Sequence, residues 1–369
     1  MPRWLSSRPP SAALEVDARR VTAAVVSKQG GAYVLSSYAS EPLPEGAVEP
    51  ALNAANVHDA EALASAIRAV LGRVTAAVVS RQGGVYVLSS YATEPLPDGA
   101  VEPALNAVNV HDAGALASAI RAVLGRVTPR PRRIALVLPD TVAKFSLLRF
   151  EKVPAKVHDL DQLIRWQIRK AAPFKIEEAQ VAWIPGVALP GGGREYLVTV
   201  ARRDVIESYE HAAVAAGAYA GIVDFASVNL VNAVLVAHQE TAASDWLLVH
   251  VAYDYSTVAV VRGQDVLFFR TRPAERNEDL VDLVHQTAMY HEDRLGGGGF
   301  SRVVLAGASS RGADTADRIR RDVQARVSNP VELLDFRGAV ALRDRIVVGP
   351  DVLDALAPAI GVIVREQVA

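Results

Sequence analysis

Short apolar runs alternate with amphipathic segments along this chain, a pattern typical of an α/β fold. The clearest example begins at residue 134. Residues 134–138 and 145–150 are short runs of mainly apolar residues, so both are predicted to be strands. A helix is predicted after them, with Asp159 as its N-cap and Pro173 as the residue that stops it.

One aromatic residue of this predicted helix falls outside its apolar stripe. At about 100° per residue, Trp166 lies opposite the stripe, between Arg165 and Arg169. Two explanations are open: a neighbouring subdomain packs on the indole, or a partner protein contacts this face. The stripe itself follows i, i+3, i+4 spacing and consists of Leu160, Leu163, Ile164, Ile168 and Ala171.

A segment of 53 residues occurs twice in tandem, at residues 21–73 and 74–126. Each copy is predicted to form two strands joined by a Gly-Gly turn and then a helix, which Gly72 ends in the first copy. Two copies are too few for a stacked-repeat architecture. The repeat therefore indicates a duplicated folding unit, whose two copies compete for one position in the fold.

When a single copy is counted, both halves of the chain show the same order of predicted elements: three strands, a helix, a strand. In the second half, strands are predicted at 246–253, 257–261, 266–271, 303–305 and 331–334, with helices at 278–295 and 314–327. We therefore predict a first domain at residues 1–155, an inserted α+β subdomain at 156–221 and a second domain at 222–369, whose C-terminal end returns to the first domain. The subdomain contains the Trp166 helix, two strands and a helix at 204–216.

Composition and the lack of known motifs argue against several classes of function. The net charge of −2 gives no support for a nucleic-acid-binding protein, and the absence of cysteine excludes disulfides and cysteine nucleophiles. No apolar run reaches the roughly 18 residues that a membrane span needs. No Walker loop, zinc-protease motif or hydrolase elbow occurs, and the scattered histidines do not predict a metal site.

Three sequence blocks carry a resemblance to a known family. They are Leu163-Ile164-Arg165-Trp166, Ala172-Pro173-Phe174 and the segment Glu177-Glu178-Ala179-Gln180-Val181-Ala182-Trp183. Together they resemble the type IV pilus assembly protein PilM family, whose members are cytoplasmic and actin-like. The resemblance implies an actin-like fold, that is, a duplicated ribonuclease H-like fold, with a small inserted α+β subdomain.

The same resemblance implies a role and partners. It implies a cytoplasmic scaffold, peripheral to the inner membrane, that binds the N-terminal peptide of a PilN-like membrane protein next to the inserted subdomain. Trp166, Arg165 and Arg169 are the candidate partner-binding residues, and a pilus motor ATPase is a further expected partner.

The resemblance also implies ATP with Mg²⁺ in the cleft between the two domains. Asp17, Arg19, Asp254 and Gly307 would be the cofactor-binding residues, but small residues are missing beside them and His250 replaces a family aspartate. This degenerate cleft favours a non-catalytic scaffold, with at most weak ATP binding, over the alternative of an actin-like ATPase that drives pilus or secretion assembly. A third alternative, the cytoplasmic part of a type II secretion protein, is expected to continue into a membrane span and a periplasmic domain.

Overall fold

The structure is a computed structural model that describes residues 12–16, 21–25, 27–29, 32–34, 73–82, 85–97, 99–238, 244–252, 254–273, 277–311, 313–327, 329–342 and 349–365. The helices are α1 (Ala113–Arg126), α2 (Val157–Ile168), α3 (Arg203–Ala215), α4 (Ala226–His238), α5 (Asn277–Leu295), α6 (Ala313–Val327) and α7 (Pro350–Val364). No helix in these ranges is both long enough and apolar enough to cross a membrane.

The strands are β1 (Ala12–Val16), β2 (Val21–Val25), β3 (Ser27–Gln29), β4 (Ala32–Val34), β5 (Arg73–Gln82), β6 (Val85–Pro95), β7 (Arg133–Leu138), β8 (Ala143–Phe150), β9 (Ala179–Ala188), β10 (Arg194–Arg202), β11 (Tyr219–Phe225), β12 (Asp245–Val251), β13 (Tyr255–Arg262), β14 (Asp265–Pro273), β15 (Arg302–Ala306), β16 (Val331–Leu333) and β17 (Val340–Leu342). Apart from the short hairpin of β3 with β4, they form three sheets.

The first sheet has the strand order β11-β7-β1-β2-β5-β6-β17. Its parallel strand β7 is buried from Ile134 to Leu138, as a continuous apolar run predicts for a strand covered on both faces. Two helix pairs cover the sheet, α1 with α3 and α4 with α7. The helices α4 and α7 approach closely, because a Cβ added at Gly361 would overlap the backbone of Asn229.

The second sheet repeats the same arrangement in the order β14-β13-β12-β15-β16. The central strand β12 is antiparallel to β13 and parallel to β15. One face shares a core with α4 and α7, so Trp246 and Leu248 belong to the same cluster as Leu356 and Ile360. The other face packs on α5 and α6. The two helices α4 and α7 therefore lie between the two sheets.

The third sheet is antiparallel, in the order β8-β10-β9, and α2 covers one of its faces. Because β8 pairs with β10 from Ala143 to Phe150, this subdomain begins before the expected boundary at residue 156. Helix α3, which was also expected in the subdomain, packs Val205, Ile206 and Tyr209 into the core of the first domain.

Three predicted helix boundaries differ from the structure, namely both ends of α2 and the end of α1. Helix α2 has Lys156 as its N-cap, while Asp159 lies in the first turn, where a carboxylate stabilises the helix dipole. The helix ends at Ile168, so the exposed Ala171 is not part of the buried stripe. Helix α1 runs through Gly125, the residue of the second copy that is equivalent to Gly72, and ends at Arg126. The Nη1 of Arg126 donates to the carbonyl of Thr93 at 3.0 Å.

The two copies of the repeat pair with the same residue of β1. Ala12 is in register with Val25 of the first copy and with Val78 of the second, and these two valines are equivalent positions of the repeat. If β5 is taken as the neighbour of β1, the strands β11-β7-β1-β5-β6 correspond in order to β16-β15-β12-β13-β14 of the second sheet, and β17 is an additional edge strand of the first. The helix predicted in the first copy, with Gly72, lies outside the described residues.

Deleting residues 21–73 is expected to leave a folded protein with an unchanged or higher melting temperature. The second copy supplies β5, β6 and α1, and β5 provides the same register against β1. Circular dichroism melting of this variant should be compared with the reciprocal deletion of residues 74–126, in which the first copy supplies equivalent residues. Loss of soluble expression in both deletions would contradict the interchangeability of the copies.

Candidate functional site

A buried carboxylate connects the two sheets at the cleft. Pro139 ends β7, and Asp140 begins a short 3-10 turn with none of its surface exposed. Its Oδ1 accepts the backbone N–H of Ser227 at 3.0 Å, and its Oδ2 accepts the hydroxyls of Ser227 and of Thr257, the latter at 2.7 Å. Since Ser227 begins α4 and Thr257 lies on β13, one side chain holds three parts of the fold together.

His250 completes this buried network. Its Nδ1 lies 2.8 Å from the Ser227 hydroxyl, which already donates to Asp140, so the imidazole donates this hydrogen bond. Although serine, histidine and aspartate are the residue types of a hydrolase triad, all three are at most 2% exposed. A substrate cannot reach a hydroxyl buried to this degree, so the cluster is structural.

A second carboxylate occupies a similar position at the end of β15. Asp354 of α7 is 3% exposed, and its Oδ2 accepts the N–H of Ser309 at 2.7 Å, at the start of the turn Ala308–Arg311. Free N–H groups at such a turn are the groups that would bind a phosphate. At this turn and at the start of α4, a carboxylate of the protein already accepts the N–H group that a phosphate would bind.

The four residues predicted to bind nucleotide do not come together as a described site. Asp17 and Arg19 lie outside the described residues. Asp254 is half-buried after β12. Gly307 has a positive φ of 82°, and a Cβ there would overlap the carbonyl of Val251, so backbone packing explains the glycine. Nucleotide binding at these residues therefore stays a prediction; in the described part of the cleft, two buried carboxylates accept the N–H groups of Ser227 and Ser309.

An open groove of about 320 Å³ lies next to the inserted subdomain. It is bounded by β9 and β10, by α3 and by β11, the edge strand of the first sheet. Its apolar lining consists of Ala182, Ala201, Ile206, Val223 and Phe225, and its polar lining of Gln180, Thr199, Arg203, Glu207 and Glu210. A groove that combines apolar and polar side chains beside a strand edge is a type of surface that can bind an extended peptide.

The polar wall of the groove carries two carboxylates and one guanidinium. Burial raises the pKa of Glu210 above its usual value, and the neighbouring Glu207 raises it further. Arg203 donates from Nη2 to the carbonyl of Ala179 at 3.3 Å, so its guanidinium is held against β9. Two carboxylates on one helix therefore dominate the charge of this wall.

Trp166 lies on the opposite face of the three-stranded sheet from this groove. Side chains alternate between the faces of a strand, so Val181 and Trp183 face α2 while Gln180 and Ala182 face the groove. The indole of Trp166 is 65% exposed, which contradicts the explanation that a neighbouring subdomain packs on it. The other explanation, a partner contact at this face, stays a prediction.

The two arginines beside Trp166 differ in their surroundings. Arg165 donates from Nε to Asp161 Oδ2 at 2.7 Å, and Asp161 also accepts Trp183 Nε1–H at 3.3 Å. Arg165 therefore helps to fix α2 on β9. Arg169 is more exposed and lies 3.8 Å from Glu177, a loose ion pair that leaves its guanidinium available to a partner.

Comparison with known proteins gives one family match. The profile of the family described as "Type IV pilus assembly protein PilM" matches residues 71–275. The matched segment contains the second copy of the repeat and leaves out nearly all of the first. No curated protein sequence gives a significant match.

Solved structures are similar to this chain at low sequence identity. The structure described as "PilM-PilN type IV pilus biogenesis complex" is 16% identical, covers 80% of this chain and 96% of its own, and has a TM-score of 0.67. The cytoplasmic domain of EpsL from the type II secretion system of Vibrio cholerae is 9% identical, covers 64% of this chain and 76% of its own, and has a TM-score of 0.39. The predicted fold class, actin-like with an inserted subdomain, is confirmed.

Proposed function

Because this chain belongs to the PilM family of type IV pilus assembly proteins, we propose that it is a non-catalytic scaffold for a PilN-like inner-membrane protein. It binds the cytoplasmic N-terminal peptide of that protein and so links the membrane complex to cytoplasmic components, among them the pilus motor ATPase. The observation that supports this proposal is a contrast within the fold. Among the described residues, a buried hydrogen-bond network joins the two sheets at the cleft, while the groove beside the inserted subdomain is open.

The groove is the proposed peptide site. Its apolar walls suit the side chains of an extended peptide, and β11 offers a backbone edge, since its only pairing among the described strands is with β7. An extended segment that lies along such an edge gains main-chain hydrogen bonds, and the side pockets give specificity. The solved structure of similar fold is, by its description, a complex of PilM with PilN.

The filled cleft is the reason to propose a protein without ATPase activity. Phosphoryl transfer needs Mg²⁺ and the triphosphate held by positioned donors. In the described part of the cleft, the N–H groups of Ser227 and Ser309 are bound by Asp140 and Asp354 instead. Nucleotide entry would require breaking both contacts, so we expect no turnover.

Calorimetry with the synthetic N-terminal peptide of the PilN-like protein from the same organism tests the peptide site. Replacing Ala182 with tryptophan fills the groove from an exposed position, so peptide binding should weaken at least about tenfold. The matched control is Ala188→Trp, an exposed alanine on the same strand outside the groove, which should bind like the wild type. Absence of binding to the wild-type protein would refute the proposal.

Phosphate release from Mg·ATP should be measured on the same preparations, with and without the peptide. We expect none above background in either case. Steady turnover that Asp17→Ala abolishes would replace the scaffold proposal with the ATPase alternative.

Trp166→Ala is expected to change the free energy of unfolding by less than about 0.5 kcal/mol, because the side chain is largely exposed. The same change should weaken recruitment of the full-length membrane partner by about 2 kcal/mol, if Trp166 is a binding hot spot, and leave binding of the isolated peptide unchanged. Pull-down from detergent extracts and peptide calorimetry measure the two effects separately. Val157→Ala, at an exposed apolar residue of the same helix, is the matched control.

A further inference from the structure

Four arginines and two exposed apolar residues lie together at one end of the first domain. Helices α1 and α3 end there, and the parallel strands β7 and β11 begin there. All four arginines are exposed, and the valine and the tyrosine are 58% and 64% exposed. The residues of this basic patch are Arg121, Arg130, Arg132, Arg133, Val214 and Tyr219.

Two of the arginines have a structural role at the end of α3. Arg121 donates from Nη2 to the carbonyl of Ala215 at 2.5 Å, and Arg130 donates from Nη2 to the carbonyl of Ala216 at 3.1 Å. The last carbonyls of a helix carry a partial negative charge, which a guanidinium stabilises. Because each guanidinium has five N–H donors, both arginines keep further donors for a ligand.

The other two arginines have no such role. The N–H of Tyr219 donates to the carbonyl of Arg132 at 2.7 Å, and Arg133 is in register with Tyr219, so both arginines adjoin the tyrosine. Neither guanidinium forms a hydrogen bond or an ion pair with another described residue. The segment that carries them is packed on the fold, since Val127 and Pro131 are buried.

The segments that form the basic patch contain no negative charge. Residues 113–139 include five arginines and no Asp or Glu, and residues 211–223 also contain no Asp or Glu. The fifth arginine, Arg126, lies outside the patch and pairs with Glu94. Positive charge is therefore concentrated at this end of the first domain, although the net charge of the whole chain is −2.

We infer that the basic patch binds the anionic surface of a lipid bilayer directly. The cytoplasmic leaflet carries anionic headgroups, whose phosphate oxygens accept hydrogen bonds from guanidinium groups. Tyr219 suits the same surface, because a tyrosine ring enters the boundary between headgroups and acyl chains while its hydroxyl stays in water. Val214 adds an apolar contact beside it. Both the charge and the exposed apolar side chains of the patch are thus complementary to such a membrane.

The position of the basic patch agrees with the proposed function but does not depend on it. Strand β11 begins at Tyr219, and Val223, which lines the groove, lies about 13 Å further along the same strand. A peptide that leaves the groove at this end would lead towards the bilayer that holds the rest of its protein. Contact with lipid would then increase the overall affinity for the membrane-bound partner.

Co-sedimentation with vesicles tests the inference on the protein alone. The wild type should bind vesicles that contain phosphatidylglycerol, bind vesicles of pure phosphatidylcholine much more weakly, and dissociate at high salt. Arg132→Gln/Arg133→Gln should bind the anionic vesicles about 10- to 30-fold more weakly, whereas Arg132→Lys/Arg133→Lys keeps both charges and should bind like the wild type. Tyr219→Ser should weaken binding about threefold and leave the salt dependence unchanged.

The matched control is Arg318→Gln/Arg326→Gln, which removes two exposed arginines of α6 outside the basic patch and should not change vesicle binding. Circular dichroism checks that each variant is folded. If the wild type does not bind anionic vesicles, the inference is overturned and an acidic protein segment becomes the favoured occupant of the patch. Equal binding by the wild type and Arg132→Gln/Arg133→Gln would overturn it as well. Neither result affects the proposed function, because Ala182→Trp tests the peptide site without a membrane.

Discussion

Asp140→Ala is expected to lower the free energy of unfolding by about 3 to 5 kcal/mol, the range for breaking a fully buried charged contact. The substitution removes the acceptor of three hydrogen bonds from Ser227 and Thr257 and leaves these donors buried without it. It also removes a negative charge from the start of α4, where that charge stabilises the helix dipole. Urea titration followed by circular dichroism measures the effect.

Asp140→Asn removes the charge of this side chain but keeps its shape, and so shows how much of the loss in stability comes from the charge. The amide keeps one oxygen for the N–H of Ser227 but replaces the second acceptor with a donor, so an intermediate loss is expected. Asp317→Ala, which removes an exposed carboxylate that pairs with Arg320, is the control and should change stability by less than about 1 kcal/mol. If Asp140→Ala were as stable as this control, the cleft would not be held closed by the network.

Asp245→Asn is expected to cost about 3 kcal/mol at neutral pH and to flatten the dependence of stability on acid. Asp245 is buried at the start of β12, where Arg262 donates to both its oxygens at 2.6 and 2.7 Å. His291, which is fully buried and stacks on Phe300, lies 2.6 Å from Asp245 Oδ2. The substitution would remove a charge that both partners need.

The direction of the pH effect follows from the pKa of Asp245. Burial alone would raise this pKa, but the hydrogen bonds from Arg262 and His291 outweigh burial and lower it below the usual value. A lowered pKa in the folded state contributes stability above the unfolded pKa of about 4, and this contribution is lost as the pH falls through the folded value. Melting temperatures between pH 7 and pH 3 should therefore fall less in Asp245→Asn than in the wild type. Parallel curves would contradict this assignment.

The sequence predicted most of the secondary structure because its periodicity was clear. The apolar runs of β7 and β12 and the long polar-faced helix α5 were all placed within two residues. β11 was missed, since Gly221 and Asp224 interrupt its apolar residues. Its register against β7 also contains an irregularity between Ala220 and Ile222, which no local pattern reveals.

The cleft network could not be found in the sequence, because its members are far apart along the chain. Asp140 is 87 residues from Ser227 and 117 from Thr257, and an aspartate after a strand looks like an ordinary loop residue. The groove could not be found in the sequence either, because its walls come from four elements, β9, β10, α3 and β11. The scattered histidines carried no pattern in the sequence, and the pairing of His291 with Asp245 depends on a tertiary contact 46 residues away. Trp166 was identifiable because helical periodicity alone placed it outside the apolar stripe.

The position of α7 between the two sheets affects how the protein is made. Leu356 and Ile360 are fully buried against elements that the ribosome synthesises much earlier, including β1, β7 and α4. The first domain therefore cannot complete its core until α7 has been translated, although its strands emerge first. Until residues 350–364 leave the exit tunnel, the apolar face that they cover is open to chaperones and to other nascent chains. Neither domain can be finished before this helix has been made and has packed between the two sheets.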